Sequence, residues 1–320
     1  LFPPAYLDDS GCAFTSLVNP SGGFVAGDHL SIHAVLEEGA HVVMSTPSAN
    51  RVYRSLGEEA RQLVTLSVAP GAVIEWFPEV TIPFAGSRFA QTMAVTLAKG
   101  ATALIWDSLA SGRVAREERW AFTSLRNEIH ITTASGGRLL ERYEVRPEQE
   151  PAGLGLLSAY DYVASFFVVS DAIDPERWPA VRNRVSAVLD SLGRDLLGGV
   201  TEPPVPGLAV KLVTRSAEVL GRAPRGAVAG RRAVHLRRHR RRADRGAHPG
   251  VERGPAARPG RVPPRDGLAH RRTRAPLVGG DRRQGRAGPH RLTAVSRAAT
   301  PARASPADRG CVSRRRHRRG

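Results

Sequence analysis

Three acidic residues stand beside the most regular part of the sequence: Asp28, Asp107 and Glu141. Carboxylates can act as general acids and bases or as oxygen ligands of a divalent cation. Oxygen ligands alone hold a borderline metal weakly, and weak binding favours passage over storage. The alternative is that these carboxylates form salt bridges with Arg113 and Arg142. The residue types leave both interpretations open.

A repeated unit would position these carboxylates. Segments that begin at His29, Gln62 and Gln91 each carry an alternating apolar run, a turn ending in Gly-Ala, and a second apolar run. The turn glycines are Gly39, Gly71 and Gly100. Alternation with period two predicts half-buried strands, and glycine supplies positive φ at the turn. A weaker fourth copy runs from Glu128 to Tyr143.

The repeat predicts the fold class. Turn glycines 32 and 29 residues apart predict a mostly β fold, a stacked or helical arrangement of repeated β-hairpins. An ordinary antiparallel sandwich with similar hairpins is the alternative. Because equivalent positions of stacked layers lie above one another, we expect the three carboxylates to converge on one interior path.

One or two α-helices are expected beyond the repeats. Asp174-Pro175-Glu176 predicts a helix start, with an apolar face from Trp178 to Leu192 and an end at Gly198-Gly199. Apolar runs at residues 160–169 and 208–214 predict two further strands.

Charge divides the chain at residue 220. Residues 1–220 hold 18 basic and 25 acidic residues, whereas residues 221–320 hold 29 arginines, 5 acidic residues and no aromatic residue. We therefore predict a β-rich domain at 1–220 and a disordered Arg/Pro/Gly/Ala-rich tail at 221–320. We interpret the tail as a frameshift product; the alternative is a basic nucleic-acid-binding arm. An arm without Lys or aromatic side chains would lack stacking contacts.

The composition also excludes several classes. No apolar run reaches the ~18 residues of a membrane span. With only Cys12 and Cys311, the chain lacks a disulfide scaffold or a cysteine-based zinc module. No secretory leader is visible, so a cytoplasmic location is expected. Walker A loops, Gly-x-Ser-x-Gly elbows and His-Glu-x-x-His helices are absent from the sequence.

Five ordered stretches between about Asn19 and Ala217 resemble the UreD (UreH) family of urease accessory proteins. They are Pro20–Asp28, Ser45–Ser55, Glu75–Phe84, Trp106–Glu118 and Leu140–Arg142. The chain departs from the family pattern after about Val219, where a final helix gives way to the Arg-rich tail. That departure agrees with the frameshift interpretation.

The resemblance implies a non-enzymatic urease maturation factor of stacked β-strands. It implies binding to apo-urease and to the accessory proteins UreF and UreG, and transit of Ni²⁺ through an internal channel without a tightly bound cofactor. By position, Asp28, Asp107 and Glu141 match acidic residues of that path. The other motif positions are Gly22, Gly23, Gly27, Asn50, Tyr53, Arg54, Gly112, Arg113, Glu118 and Arg142.

Two other functions remain as alternatives at this point. The first is a β-solenoid enzyme that acts on polysaccharide, with the three carboxylates as acid and base about 5–10 Å apart. The second is a nucleic-acid-binding protein that depends on the tail. We expect neither a membrane partner nor a specific nucleic-acid partner.

Overall fold

The computed structural model of the protein describes residues 1–8, 10–148, 157, 159–223 and 293–294. Most of them belong to two β-sheets. The first sheet has the order β1 (Ala5–Tyr6), β2 (Ala13–Ser16), β5 (His41–Ser45), β8 (Val73–Phe77), β11 (Thr102–Ala110), β14 (Tyr162–Ser170), β16 (Gly207–Thr214) and β15 (Leu196–Thr201). Three further strands form a branch that joins this sheet at β11: β3 (Gly23–Phe24), β6 (Asn50–Val52) and β9 (Thr81–Pro83). The second sheet has the order β13 (Arg138–Val145), β12 (Ser124–Thr132), β10 (Arg88–Leu97), β7 (Ala60–Val68), β4 (His29–Leu36) and β17 (Thr293–Ala294).

The chain winds as a solenoid through these sheets. Strands β4, β7, β10 and β12 pair in parallel in the second sheet, and β2, β5, β8 and β11 pair in parallel in the first. The branch strands β3, β6 and β9 also pair in parallel. Each of the first three coils therefore contributes one strand to each of these three rows. The predicted mostly β, stacked arrangement is confirmed, and the sandwich alternative is wrong.

The repeating unit differs from the predicted hairpin. Strands β4 and β5 of the first repeat lie in different sheets, and each pairs with its equivalent in the next repeat, β7 and β8. Both strands carry an inward apolar face, and placing them in opposite sheets buries each face against the other. Only the weak fourth copy, β12 and β13, pairs as an antiparallel hairpin among the repeat strands described.

The Gly-Ala turns stack along one edge of the solenoid. Gly39, Gly71 and Gly100 have φ values of +70°, +67° and +75°, a conformation that glycine adopts without a Cβ clash. The following alanines are buried, and the backbone of Ala40 accepts a hydrogen bond of 2.7 Å from the Val73 N–H in the next coil. The turn thus links each coil to the next.

The predicted helix forms on the outer face of the first sheet. Asp174 Oδ1 accepts a hydrogen bond of 3.1 Å from the Glu176 N–H, and α1 (Trp178–Ser191) follows a 3-10 turn. Trp178, Val185 and Leu189 belong to one apolar cluster with strands β11, β14 and β16.

Two features near this helix bear on the predictions. Gly198 and Gly199 do not end the helix: both lie in β15, and the positive-φ residue after the helix is Gly193 at +91°. A second helix begins at residue 217 and is described to residue 223. The two predicted strands are confirmed as β14 and β16.

Most of the predicted tail lies outside the described residues. The prediction that the tail is disordered concerns those residues and stays a prediction. Its described parts are residues 221–223, which continue the second helix, and β17, which pairs with β4. The boundary at residue 220 stays a prediction. Among the described residues, no helix has the length and apolar character needed to cross a membrane.

Candidate functional site

A polar layer crosses the interior between the two sheets. In the second sheet, one residue from each of four neighbouring strands lies in register: Gln62, Gln91, Asn127 and Tyr143. In the first sheet, a matching row crosses β11, β14 and β16: Asp107, Ser165 and Lys211. Together with Glu141 on β13, these seven residues form what we call the polar layer.

Apolar residues enclose the polar layer along each strand. Two residues further along β7 and β10, Val64 and Met93 are fully buried in the largest apolar cluster. Two residues before the polar layer, Ala60 and Phe89 belong to a different buried cluster. The amides that lie between two apolar clusters must therefore find their hydrogen-bond partners within the layer or at its ends, since a buried polar group without a partner is costly.

Asp107 lies at the centre of the layer. Its side chain accepts hydrogen bonds from Gln91 Nε2 at 3.0 Å on Oδ1, and from Asn127 Nδ2 at 2.7 Å and the Tyr143 hydroxyl at 3.4 Å on Oδ2. Gln91 Nε2 also donates to Asn127 Oδ1 at 3.0 Å. Every residue of β11 is buried, because one face of the strand packs in the interior and the other packs toward α1. This placement fixes Asp107 in the interior.

The environment of Asp107 disfavours its charge. Burial raises the pKa of Asp107, the negative charge of Glu141 raises it further, and hydrogen bonds from Gln91 and Tyr143 oppose the shift. Burial likewise raises the pKa of Tyr143, and the charge of Asp107 adds to that increase. A cation that reached this position would favour the ionised carboxylate.

Glu141 occupies the end of the layer at β13, the edge strand of the second sheet. Ser165 Oγ donates to Glu141 Oε1 at 2.6 Å, the Lys211 ammonium forms an ion pair with the other carboxylate oxygen, and Lys211 Nζ donates to Ser165 Oγ at 2.9 Å. The Glu141 side chain is only 9% exposed, whereas that of Lys211 is 56% exposed. The layer therefore runs from the interior to the protein surface.

The alternative, salt bridges of these carboxylates with Arg113 and Arg142, is wrong. Arg113 pairs with Glu118 instead. Arg142 neighbours Glu141 on β13, but successive side chains of a strand point to opposite faces, and Arg142 is exposed. Lys211 and Ser165 hold Glu141, and neutral donors hold Asp107.

Of the three predicted carboxylates, the structure brings two together. Asp107 and Glu141 are close enough for their charges to interact. Asp28 lies in a local turn, where its side chain accepts a hydrogen bond of 2.9 Å from the Val25 N–H. Within the described ranges, no group of three His, Cys, Asp or Glu side chains could hold a metal ion.

The space beside Asp107 is very small. A cavity of about 10 Å³ is lined by Asp107, Thr81 and polar-layer residues, which is about the size of one water molecule. At the other end of the layer, Asn50 Nδ2 contacts Gln62 Oε1 at 3.5 Å. A sugar unit does not fit this interior, which argues against a polysaccharide-cleaving site at these carboxylates.

The glycine-rich motif near Asp28 packs against the segment that follows strand β6. The Tyr53 hydroxyl contacts the Gly22 carbonyl at 3.4 Å, and its ring meets Phe84 edge-on at 5.3 Å. A Cβ at Gly23 would lie 2.9 Å from the Tyr53 ring, and one at Gly27 would lie 2.7 Å from Glu58. The small residues at these positions allow close packing.

A second motif folds around an ion pair. Arg113 Nε donates to Glu118 Oε1 at 3.0 Å, and the same oxygen accepts the Ala85 N–H at 2.8 Å. The hydrogen bond from Arg113 lowers the pKa of Glu118, and the Arg113 guanidinium lies 4.4 Å from the centre of the Phe84 ring.

Two glycines allow close packing near these motifs. Gly112, with φ +148°, allows the loop to close on the Glu118 carbonyl. A Cβ at Gly86 would lie 3.3 Å from the side chain of Arg54, which is exposed. These motif residues stabilise the fold near the layer and do not line it.

Sequence reasoning missed six members of the layer: Gln62, Gln91, Asn127, Tyr143, Ser165 and Lys211. A signal existed for two of them. Gln62 and Gln91 each precede the turn glycine of their repeat by nine residues, in the same alternation phase as Val64 and Met93. A glutamine at equivalent inward positions of two repeats indicates a buried polar row.

Comparison with known proteins identifies the family to which this sequence is similar. The family model described as "UreD urease accessory protein" matches residues 1–245. Proteins named urease accessory protein UreD from Deinococcus radiodurans and Delftia acidovorans are 40% and 37% identical over 156 and 164 residues, which are 48% and 49% of this chain and 56% and 52% of those proteins. The chain thus spans about half the length of these curated relatives.

A longer match comes from Herpetosiphon aurantiacus. Its urease accessory protein UreD is 33% identical over 219 residues, which cover 67% of this chain and 76% of that protein. Residues 1–245, which the family model matches, include the whole polar layer. The resemblance inferred from the motifs is confirmed, and the chain belongs to the UreD family of urease accessory proteins.

Proposed function

We propose that this chain is a non-enzymatic scaffold that passes Ni²⁺ to urease. In this role it binds apo-urease together with UreF and UreG, in the cytoplasm. Membership of the UreD family supports a role in urease maturation. The observation that carries the nickel proposal is the polar layer, which crosses an otherwise apolar interior and ends at the surface.

The donor atoms of the layer suit transient passage. Two carboxylates, three side-chain amides and two hydroxyl groups supply oxygen atoms, and the layer contains neither an imidazole nor a thiolate. Such ligands bind Ni²⁺ more weakly than nitrogen or sulfur ligands do. Each side-chain amide offers a carbonyl oxygen with two lone pairs, so an ion can move from one oxygen to the next. A carrier that must release its ion benefits from weak binding at each step.

The two carboxylates lie where solvent is scarce. Asp107 is 8% exposed, and the carboxylates of Asp107 and Glu141 repel each other. A divalent cation between them would remove that repulsion and offset the cost of burying the charge. The two carboxylates are thus the positions at which we expect a dication to pause.

Replacing Glu141 with glutamine tests the path. Glutamine keeps the volume and an acceptor for Ser165 and Lys211 but removes the charge that attracts the dication. We expect the Glu141→Gln variant to remain soluble and to co-purify with apo-urease, UreF and UreG. We expect nickel per urease active site to fall about fivefold at limiting nickel, the factor that about 1 kcal/mol of lost ion attraction gives. Metal analysis of the purified urease and its activity are the measurements.

Glu144→Gln is the matched control. Glu144 lies on the same strand but faces outward and pairs with Arg146 at the surface. The proposal requires that this variant load urease as the parent does. Full urease activation by Glu141→Gln at limiting nickel would reject a transfer role for Glu141, and an insoluble Glu141→Gln variant would assign this residue to folding.

A further inference from the structure

One lysine stands at the surface end of the polar layer. The chain has only two lysines, Lys99 and Lys211, among 47 basic residues. Lys211 lies on β16, on the interior side of the first sheet, beyond the point where the second sheet ends at β13. Its ammonium contacts Glu141 and Ser165, so it closes the end of the layer.

We infer that Lys211 is a tethered cation that competes with the metal ion for Glu141. This inference rests on the proposed function and specifies how the same path is controlled. While Lys211 is paired, its ammonium occupies the carboxylate oxygen that an entering or leaving dication would use. When the ammonium moves away, Glu141 becomes available as a ligand. Lys211 thereby sets how long the ion stays at the end of the layer.

The exposure of the two partners makes this exchange feasible. Lys211 is 56% exposed and reaches Glu141 with a flexible four-carbon chain, so its ammonium can return to water, where hydration replaces the ion pair. Glu141 is 9% exposed and keeps its hydrogen bond from Ser165 when Lys211 leaves. The pair therefore has a fixed buried anion and a mobile exposed cation.

The choice of lysine over arginine fits this role. A guanidinium binds a carboxylate through two parallel hydrogen bonds, whereas an ammonium is a compact point charge that rehydrates readily. Among the described Arg–Glu pairs, Arg113–Glu118 shows this arrangement, with Nε on one carboxylate oxygen and Nη2 on the other. A single-charged ammonium also favours displacement by an ion of higher charge, so divalent ions displace it more readily than monovalent ions do.

Direct Ni²⁺ binding to the full chain without a purification tag tests the inference. We expect Lys211→Met to bind Ni²⁺ about fivefold tighter than the parent in equilibrium dialysis, since the competing charge is removed. Lys99→Met is the matched control, because Lys99 is exposed at the turn after β10 and its removal changes the net charge equally. Lys211→Arg should restore the affinity of the parent or weaken it further, which a loss of packing at this position would not produce.

The Glu141→Gln variant separates the two proposals. If Lys211→Met leaves Ni²⁺ affinity unchanged while Glu141→Gln weakens it, Lys211 is not a competitor and the nickel path stands. If neither variant alters Ni²⁺ binding, the path through Glu141 fails and the inference fails with it. Should Lys211→Met not fold, acetylation of the folded Lys99→Met protein removes the Lys211 charge afterwards, and unchanged Ni²⁺ affinity would then overturn the inference.

Discussion

The Asp107→Leu variant is expected to lose about 3–5 kcal/mol of unfolding free energy, enough to unfold many domains of this size. Leucine fills a similar volume, but it leaves the donors of Gln91, Asn127 and Tyr143 without their acceptor in the interior. Urea denaturation followed by circular dichroism measures the loss. An Asp107→Leu protein as stable as the parent would show that these hydrogen bonds contribute little.

The Asp107→Asn variant provides the matched comparison. Asparagine keeps the shape and one acceptor oxygen, so we expect a loss of about 1 kcal/mol or less at acidic pH. Because burial raises the pKa of Asp107 in the folded state, its contribution to stability is fully present below its unfolded pKa and is lost as pH rises through the raised folded pKa. Asparagine does not titrate.

The pH dependence of that pair therefore has a defined sign. As pH rises from about 4, near the unfolded pKa of an aspartate, through the raised pKa of Asp107, stability should shift in favour of the Asn variant. If the unfolding free energies of the two proteins changed equally with pH across this range, the raised pKa of Asp107 would be contradicted. Nickel loading of urease should be lower with the Asn variant at a pH above the raised pKa, where Asp107 carries its negative charge.

The second large effect is expected at Gly112. A Cβ there would lie 2.5 Å from the backbone oxygen of Glu118, and the φ of +148° is strained for other residues. We expect Gly112→Ala to lower the unfolding free energy by about 2–4 kcal/mol, since backbone has to shift in a loop that Arg113 and Glu118 hold closed.

Gly57→Ala is the control for that substitution. Nothing lies within 4 Å of a Cβ at Gly57, and its φ lies outside the strained range. Its stability should match that of the parent within about 0.5 kcal/mol. Equal stability of the two alanine variants in thermal unfolding would mean that the loop at Gly112 can rearrange freely.

The repeats and the helix start could be predicted because their signals are local. Alternation along β7 and a glycine at each turn specify strand and turn without knowledge of distant residues. The cap at Asp174 likewise acts within three residues. The sequence did not predict that β4 pairs with β7 rather than with β5. Two strands that form a hairpin and two strands that face each other across the core show the same alternation of apolar and polar residues.

The candidate site was harder to predict for the same reason. Asp107 was found through its motif, but its partners Asn127 and Tyr143 lie 20 and 36 residues away on other strands. Lys211 is 70 residues from Glu141 and became its partner only through the pairing of β14 with β16. The expected partners Arg113 and Arg142 are near in sequence, yet strand alternation and a local ion pair direct them elsewhere.

The solenoid winding sets an order in which the chain can assemble. Paired strands of the early coils lie 29 to 36 residues apart, so each coil can pack on the preceding one soon after it leaves the ribosome. Strand β16, by contrast, joins β14 across 38 to 52 residues, from Val169–Gly207 to Tyr162–Thr214. A nascent chain therefore exposes the Glu141 carboxylate until residue 211 has been synthesised, and closure of that end marks a completed solenoid.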